Sequence, residues 1–223
     1  MRSPTLFASR WGACVLLLAL AQGLVSPAAA QTPADRVRAA FERYREAVLA
    51  RDGAAALDAV DARTVDYYRQ SVDLALDADS AAVASLPFLD ELMVLTLRHR
   101  VPPDTLRAFD GASAFVYGVE QGWISPSSVR RQRLGRVTVA GDSARAELAV
   151  NGESVPEVAF AFARERGDWR LDLTSVTALA GASLRAQAAA LDLTEGAYIA
   201  LLLETVSGRP VKPVLWRPVG RDS

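Results

Sequence analysis

Three features of the sequence predict an α+β fold: an N-terminal helical layer packed on a four-stranded antiparallel meander, with an additional C-terminal helix. The apolar period is about 3.6 residues up to Gln121 and drops to 2 after Arg133. Three turn dipeptides, Gly141-Asp142, Asn151-Gly152 and Gly167-Asp168, cut the period-2 region into four short pieces. Those pieces are apolar on one side only, so a sheet made from them must be covered, and the helices upstream are the available cover.

Residues 1–30 stand apart from this pattern. Arg2 and Arg10 form a short basic leader, the apolar run CVLLLALA extends from Cys14 to Ala21, and Ala28-Ala29-Ala30 precedes Gln31. That is the layout of a secretory signal peptide, and the run is too short to span a bilayer. No adjacent arginine pair marks a Tat-type signal. The expectation is a signal peptide over 1–30 and a single α+β domain over 31–223, helical over 32–122, sheet over 133–175, and C-terminal helices with an extended tail over 178–223. The arginine and alanine excess, with Lys212 the sole lysine, points to a GC-rich bacterial source and hence to a periplasmic or secreted protein.

Removing the leader removes Cys14, the only cysteine, so disulfides, thiol nucleophiles and cysteine metal ligands are not expected. The remaining 193 residues (223 less 30) suffice for a core, since a domain of this size buries roughly 70% of its surface. Without Arg2 and Arg10 there are 23 basic and 26 acidic residues, a net of −3, which argues against nucleic-acid binding. No transmembrane segment is expected once the signal is removed.

Taken in order, Thr32-Pro33 reads as a hydroxyl cap followed by a first-turn proline. Val37, Ala40, Phe41, Tyr44 and Val48 then recur at steps of three and four, and Asp52-Gly53 closes the segment. A short helix is expected over Ala54–Val60 and a longer one from Thr64 to Asp77, with Val65, Tyr68, Val72 and Leu76 in line. Phe88 to Arg100 is apolar on almost every side, as helices buried between neighbours are. Its last residues, Arg98, His99 and Arg100, place positive charge at the negative end of the helix dipole. A further helical stretch runs from Asp104 to Gln121, interrupted near Gly111.

Strands are expected over Leu134–Ala140, Ala144–Val150, Val155–Glu165 and Trp169–Ser175. One face carries Leu148, Val150, Val158, Phe160, Phe162, Trp169, Leu171 and Leu173, the other Arg145, Glu147, Arg170 and Asp172. Beyond the sheet, Leu179–Leu191 is weakly amphipathic. Thr194 caps a firmer helix with Tyr198, Ile199, Leu202, Leu203 and Val206 on one face. The tail VKPVLWRPVG should lie extended, pinned by Leu215 and Trp216.

The stretch FERYREAVLARDGAAALDAV, followed by a meander ending in FARERGDWRLDL, resembles the NTF2-like superfamily of cystatin-like α+β cones. The likeness covers Pro33–Val60 and Arg133–Leu173. It implies a helix-covered concave sheet, and it is compatible with isomerases, cyclases, carriers and partner-binding modules alike. The usual chain order of that superfamily places a strand among the early helices, and none is read here.

Chemistry-bearing candidates are few. Asp66-Tyr67-Tyr68 pairs an acid with tyrosine donors, which the resemblance associates with enolate chemistry; the plain alternative is a packed Tyr68 beside a solvated Asp66. Because adjacent helical residues point roughly 100° apart, Tyr67 and Tyr68 are not expected to face one pocket together. His99, the only histidine, reads as a helix-end surface residue with a pocket role as the alternative. Arg131 and Arg133, within a local cluster completed by Arg130 and Arg136, would hold an anion or blunt a sheet edge. Phe160, Phe162 and Trp169 would line a cavity under the helices. No metal site and no cofactor motif is read.

The expected function is therefore an exported, non-catalytic α+β module that binds a small apolar ligand or a partner protein, a homodimer included. The alternatives are a small-molecule isomerase or cyclase-like enzyme using Asp66 and a tyrosine, or an envelope structural protein that docks through its C-terminal helix.

Overall fold

The computed structural model describes residues 31–124 and 126–221, so the leader lies outside the described residues. Helix α1 (Pro33–Ala50) begins at Thr32, whose side chain accepts from Asp35 N while the Asp35 carboxylate accepts from Thr32 N–H, a reciprocal cap. It buries Val37, Ala40, Phe41, Tyr44, Ala47 and Val48 against the sheet and ends with Arg51 in the left-handed conformation. Asp52 caps α2 (Gly53–Ala59) and Asp61 caps α3 (Ala62–Asp77).

A short helix the sequence pattern did not predict, α4 (Ser80–Ala84), is set by Asp79, whose side chain accepts from Ala82 N. Helix α5 (Phe88–Arg100) packs against α3, α9 (Thr177–Ala190) and α10 (Glu195–Ser207), and the expected burial on several sides follows from that position. The stretch expected to be interrupted near Gly111 is two helices, α6 (Pro103–Arg107) and α7 (Gly111–Glu120). Gly111 lies where α7 meets α3: a Cβ there would collide with the Val65 carbonyl and with Arg69. A second unexpected helix, α8 (Pro126–Arg131), leads into the sheet.

The four strands are β1 (Gln132–Ala140), β2 (Ser143–Val150), β3 (Glu153–Glu165) and β4 (Asp168–Asp172), antiparallel in the order β1-β2-β3-β4. The meander predicted from turn spacing is correct. Leu148, Phe160, Phe162, Trp169 and Leu171 are buried under the helices, with Phe41 of α1 and Phe160 of β3 at 5.6 Å between ring centres. The register shift between Leu134 and Val137 inserts one extra residue in β1, as a bulge does, and the one between Glu147 and Leu148 is a larger irregularity that leaves three residues of β3 unpaired; bulges add local twist to a sheet. At the first bulge the ladder leaves carbonyls over, and Arg38 of α1 donates to Leu134 O (3.2 Å) and Gly135 O (2.7 Å).

Several boundaries differ from the sequence reading. The third hairpin turns on Arg166-Gly167, both at positive φ (53° and 93°), one residue earlier than Gly167-Asp168. The last strand stops at Asp172 rather than Ser175, because the Asp172 carboxylate accepts from Thr174 N (2.9 Å) and pulls Leu173–Val176 into a 3-10 turn. Asp172, expected on the open face, is buried by that turn and by Arg63, 3.3 Å away. Among the early helices Val60 forms a single parallel bridge to Leu171, reinforced by Asp61 N donating to Leu171 O at 3.0 Å.

The tail is not fully extended: Pro213–Trp216 makes a 3-10 turn that buries Leu215. Arg98 donates to the carbonyls of Leu74, Ala75, Ala78 and Leu215, tying the end of α3 to the tail. Trp216 Nε1 donates to Glu91 at 3.3 Å, and Arg221 pairs with Asp73 and Asp77. No helix among the described residues is long and apolar enough to cross a membrane.

Candidate functional site

A cleft of about 290 Å³ opens between the helical cover and the sheet. Tyr44 of α1, Tyr67 and Tyr68 of α3, Met93 of α5, and Phe160 of β3 supply its apolar walls, and the 3-10 turn with the start of α9 closes one side. The volume is near the lower end of small-molecule sites. An apolar cavity of ~150 Å³ takes a benzene, so this one holds a body of roughly two rings.

The cleft's polar content is small and specific. The Tyr44 and Tyr68 hydroxyls bond to no described residue, although Tyr44 is 3% and Tyr68 7% exposed. The described residues supply no acceptor for either, and neither hydroxyl oxygen is among the fully buried atoms left without a partner, so both keep access to the cleft that their rings border. Burial raises the pKa of Tyr44, with a further push from Tyr68, and burial carries Tyr68 up to about 12. Both groups are therefore neutral donors at physiological pH. Tyr67 differs: its hydroxyl donates to Asp90 Oδ1 at 3.0 Å, and burial followed by the Asp90 charge drives its pKa up.

Both neighbouring tyrosines reach the cleft, contrary to the sequence expectation. Their rings meet edge to face at 5.8 Å, because a helical step separates Cβ directions while long aromatic side chains lean back together. Tyr68 is held from behind by Phe115, 5.1 Å away and perpendicular. Thr64 fixes the cleft's other wall: its hydroxyl accepts from Leu173 N at 3.0 Å and donates to Asp61 Oδ1 at 3.0 Å.

The other sequence candidates are elsewhere. Asp66 is outside the cleft, with its side chain 60% exposed and 3.4 Å from Arg69. Phe162 and Trp169 are core residues that do not line the cleft, and the Trp169 indole N–H is buried with no partner among the described residues. Arg131 and Arg133 are exposed, and Arg133 turns back onto the carbonyls of Arg130 and Gln132. His99 sits at the end of α5, its Nε2 2.8 Å from Ser207 Oγ, bordering a different groove. On α10, Tyr198 turns inward to Phe88 and to Gln187 and Leu202 is half-buried, so they form no exposed stripe for a partner.

Tyr44 and Thr64 were missed as site residues because each also fits a structural pattern, the apolar stripe of α1 and the first turn of α3. A tyrosine in a stripe whose other members carry no polar group was the available signal, since its hydroxyl must be aimed somewhere. Among the described residues no cluster of three or more His, Cys, Asp or Glu side chains is placed to hold a metal. Comparison of the chain with protein-family models, curated proteins and solved structures finds no match.

Proposed function

We propose that the protein is an exported, non-catalytic α+β module whose cleft binds a small, largely apolar ligand carrying one hydrogen-bond acceptor. The observation that carries this reading is the pair of tyrosine hydroxyls, Tyr44 and Tyr68, bordering an aromatic cleft without a protein acceptor. A carbonyl or ether oxygen supplies the missing acceptor, and the rings around it supply apolar contact. The leader over residues 1–30 supports export. The isomerase alternative loses its intended base, since Asp66 faces solvent with Arg69. An enzyme built on this cleft would have to use Asp90, reached through the Tyr67 hydroxyl.

The test uses two small probes of nearly equal shape, indanone and indane, followed by quenching of intrinsic fluorescence and by calorimetry. Indanone is expected to bind more tightly, by several-fold, because each neutral hydrogen bond is worth about 1 kcal/mol. Tyr44→Phe and Tyr68→Phe should each reduce that preference while leaving indane unchanged. Absence of saturable binding by both probes, or a preference that survives both substitutions, refutes the reading.

A further inference from the structure

A second groove, of about 590 Å³, lies where the end of α5 and the start of α6 meet the C-terminal tail. It shares no lining residue with the tyrosine cleft. Five formal cations line it, Arg98, Arg107, Arg209, Lys212 and Arg217, and no carboxylate among the described residues does. This concentration stands against the chain's overall balance, which is −1 over its full length. Elsewhere several arginines pair with acids, as Arg45 does with Glu42, Arg69 with Asp66 and Asp73, and Arg221 with Asp73 and Asp77, while others such as Arg38 and Arg133 bond only to backbone carbonyls.

In the groove, apart from the pair that Arg107 makes with Asp104, the cations are held by carbonyls or are left over. Arg98 spends its N–H groups on four backbone oxygens and meets no carboxylate among the described residues. Arg209 donates to His99 O at 2.6 Å, and Arg107 to Gly220 O at 3.0 Å with the exposed Asp104 as its only acid. Lys212 and Arg217 make no side-chain hydrogen bond or ion pair with any described residue. The field is felt at His99: burial lowers its pKa first, Arg209 and Arg100 lower it further, and Glu204 opposes them. Between the charges the floor is apolar, made by Val214, Leu215 and Val219 together with prolines that stiffen the tail. A cationic rim over an apolar floor matches an amphiphilic anion, and the proline-rich tail that carries the rim limits the backbone ordering that binding requires.

We propose that this groove is a binding site for a phosphate group attached to a small apolar body, the phosphate held by Arg209, Lys212 and Arg217 and the body resting on Val214 and Leu215. Guanidinium forks suit phosphate oxygens, and free ammonium and guanidinium groups at one rim suit a dianion better than a monoanion.

The chain's single histidine makes the test direct, because one imidazole signal reports the groove. The purified protein is titrated with inorganic phosphate and with hexyl phosphate while the His99 resonance is followed by NMR. Hexyl phosphate is expected to shift the signal saturably, to raise the His99 pKa, and to bind several-fold more tightly than inorganic phosphate. Lys212→Ala, which removes a side chain without partners, and Arg209→Ala should each weaken binding by roughly tenfold or more, as loss of a charged hydrogen bond requires. Added salt should weaken it as well. Sedimentation with phosphatidylcholine vesicles, with and without phosphatidic acid, separates the two sources of the ligand. Capture by the acidic vesicles assigns a lipid headgroup, and soluble binding without capture assigns a free monoester. Failure to saturate, or equal affinity in both variants and wild type, overturns the site. Equal affinity for inorganic and hexyl phosphate overturns the apolar half of the proposal.

Discussion

Replacing Asp61 with alanine should be among the most damaging polar substitutions in the protein. Its side chain is buried, and one oxygen, Oδ1, accepts from both Thr64 N and Thr64 Oγ1 at 3.0 Å. The other, Oδ2, takes Arg63 Nε at 2.7 Å. Losing the cap on α3 costs about 1 kcal/mol. The buried Thr64 hydroxyl still accepts from Leu173 N, but as a donor it is left with only a 3.5 Å contact to Leu171 O, and an unsatisfied buried donor costs about 1–3 kcal/mol. Arg63, with a side chain 58% exposed, keeps Asp172 at 3.3 Å and its loss of Asp61 adds little. The total is about 2–4 kcal/mol, or a fall in Tm of about 4–16 °C for a chain of this length.

Asp61→Asn keeps an acceptor for the cap and for Thr64, so it should cost about 1 kcal/mol or less. Thermal and urea unfolding at neutral pH measure both variants. A loss below about 1 kcal/mol for alanine would show that Asp61 does not brace α3 to β4. Equal losses for alanine and asparagine would place the stabilisation in the charge rather than in the cap. The same brace holds the Thr64 wall of the tyrosine cleft, so Asp61→Ala should also weaken indanone binding.

Gly111→Ala drives a methyl group into the Val65 carbonyl and should cost about 1–3 kcal/mol in urea unfolding; an unchanged midpoint would mean that α7 does not approach α3 that closely. Phe160→Ala, in a ring 4% exposed and packed on Phe41, should cost about 3–5 kcal/mol, less whatever the cleft already leaves uncovered, and a loss below about 1 kcal/mol would refute its core position. Burial raises the pKa of Glu91, partly opposed by its bond from Trp216. The folded state therefore holds that proton more tightly than the unfolded chain, and its stability contribution falls as pH rises from the ordinary glutamate range through the raised folded value. Glu91→Gln should accordingly gain stability relative to wild type on going from about pH 4 to about pH 7, and a difference independent of pH would count against the shift.

What the sequence determined by itself is local and periodic. Helix and strand stripes, the Thr32 and Thr194 caps and the spacing of three hairpins are written within a few residues of one another, so the α+β meander and its apolar face were legible. Short helices such as α4 and α8 were not, since five or six residues carry too little period to stand out. Partnerships between polar groups were decided only by the tertiary structure. Tyr67 meets Asp90 23 positions away, His99 O takes Arg209 across 110, and Leu173 reaches Thr64 across 109. Tyr44 and Tyr68 lie in ordinary core stripes and become candidate ligand donors only because their rings border the cleft and no described residue places an acceptor beside their hydroxyls. Periodicity reports which side of an element is dry; which hydroxyls and charges converge there depends on how separate elements are placed, and no short window of sequence contains that information.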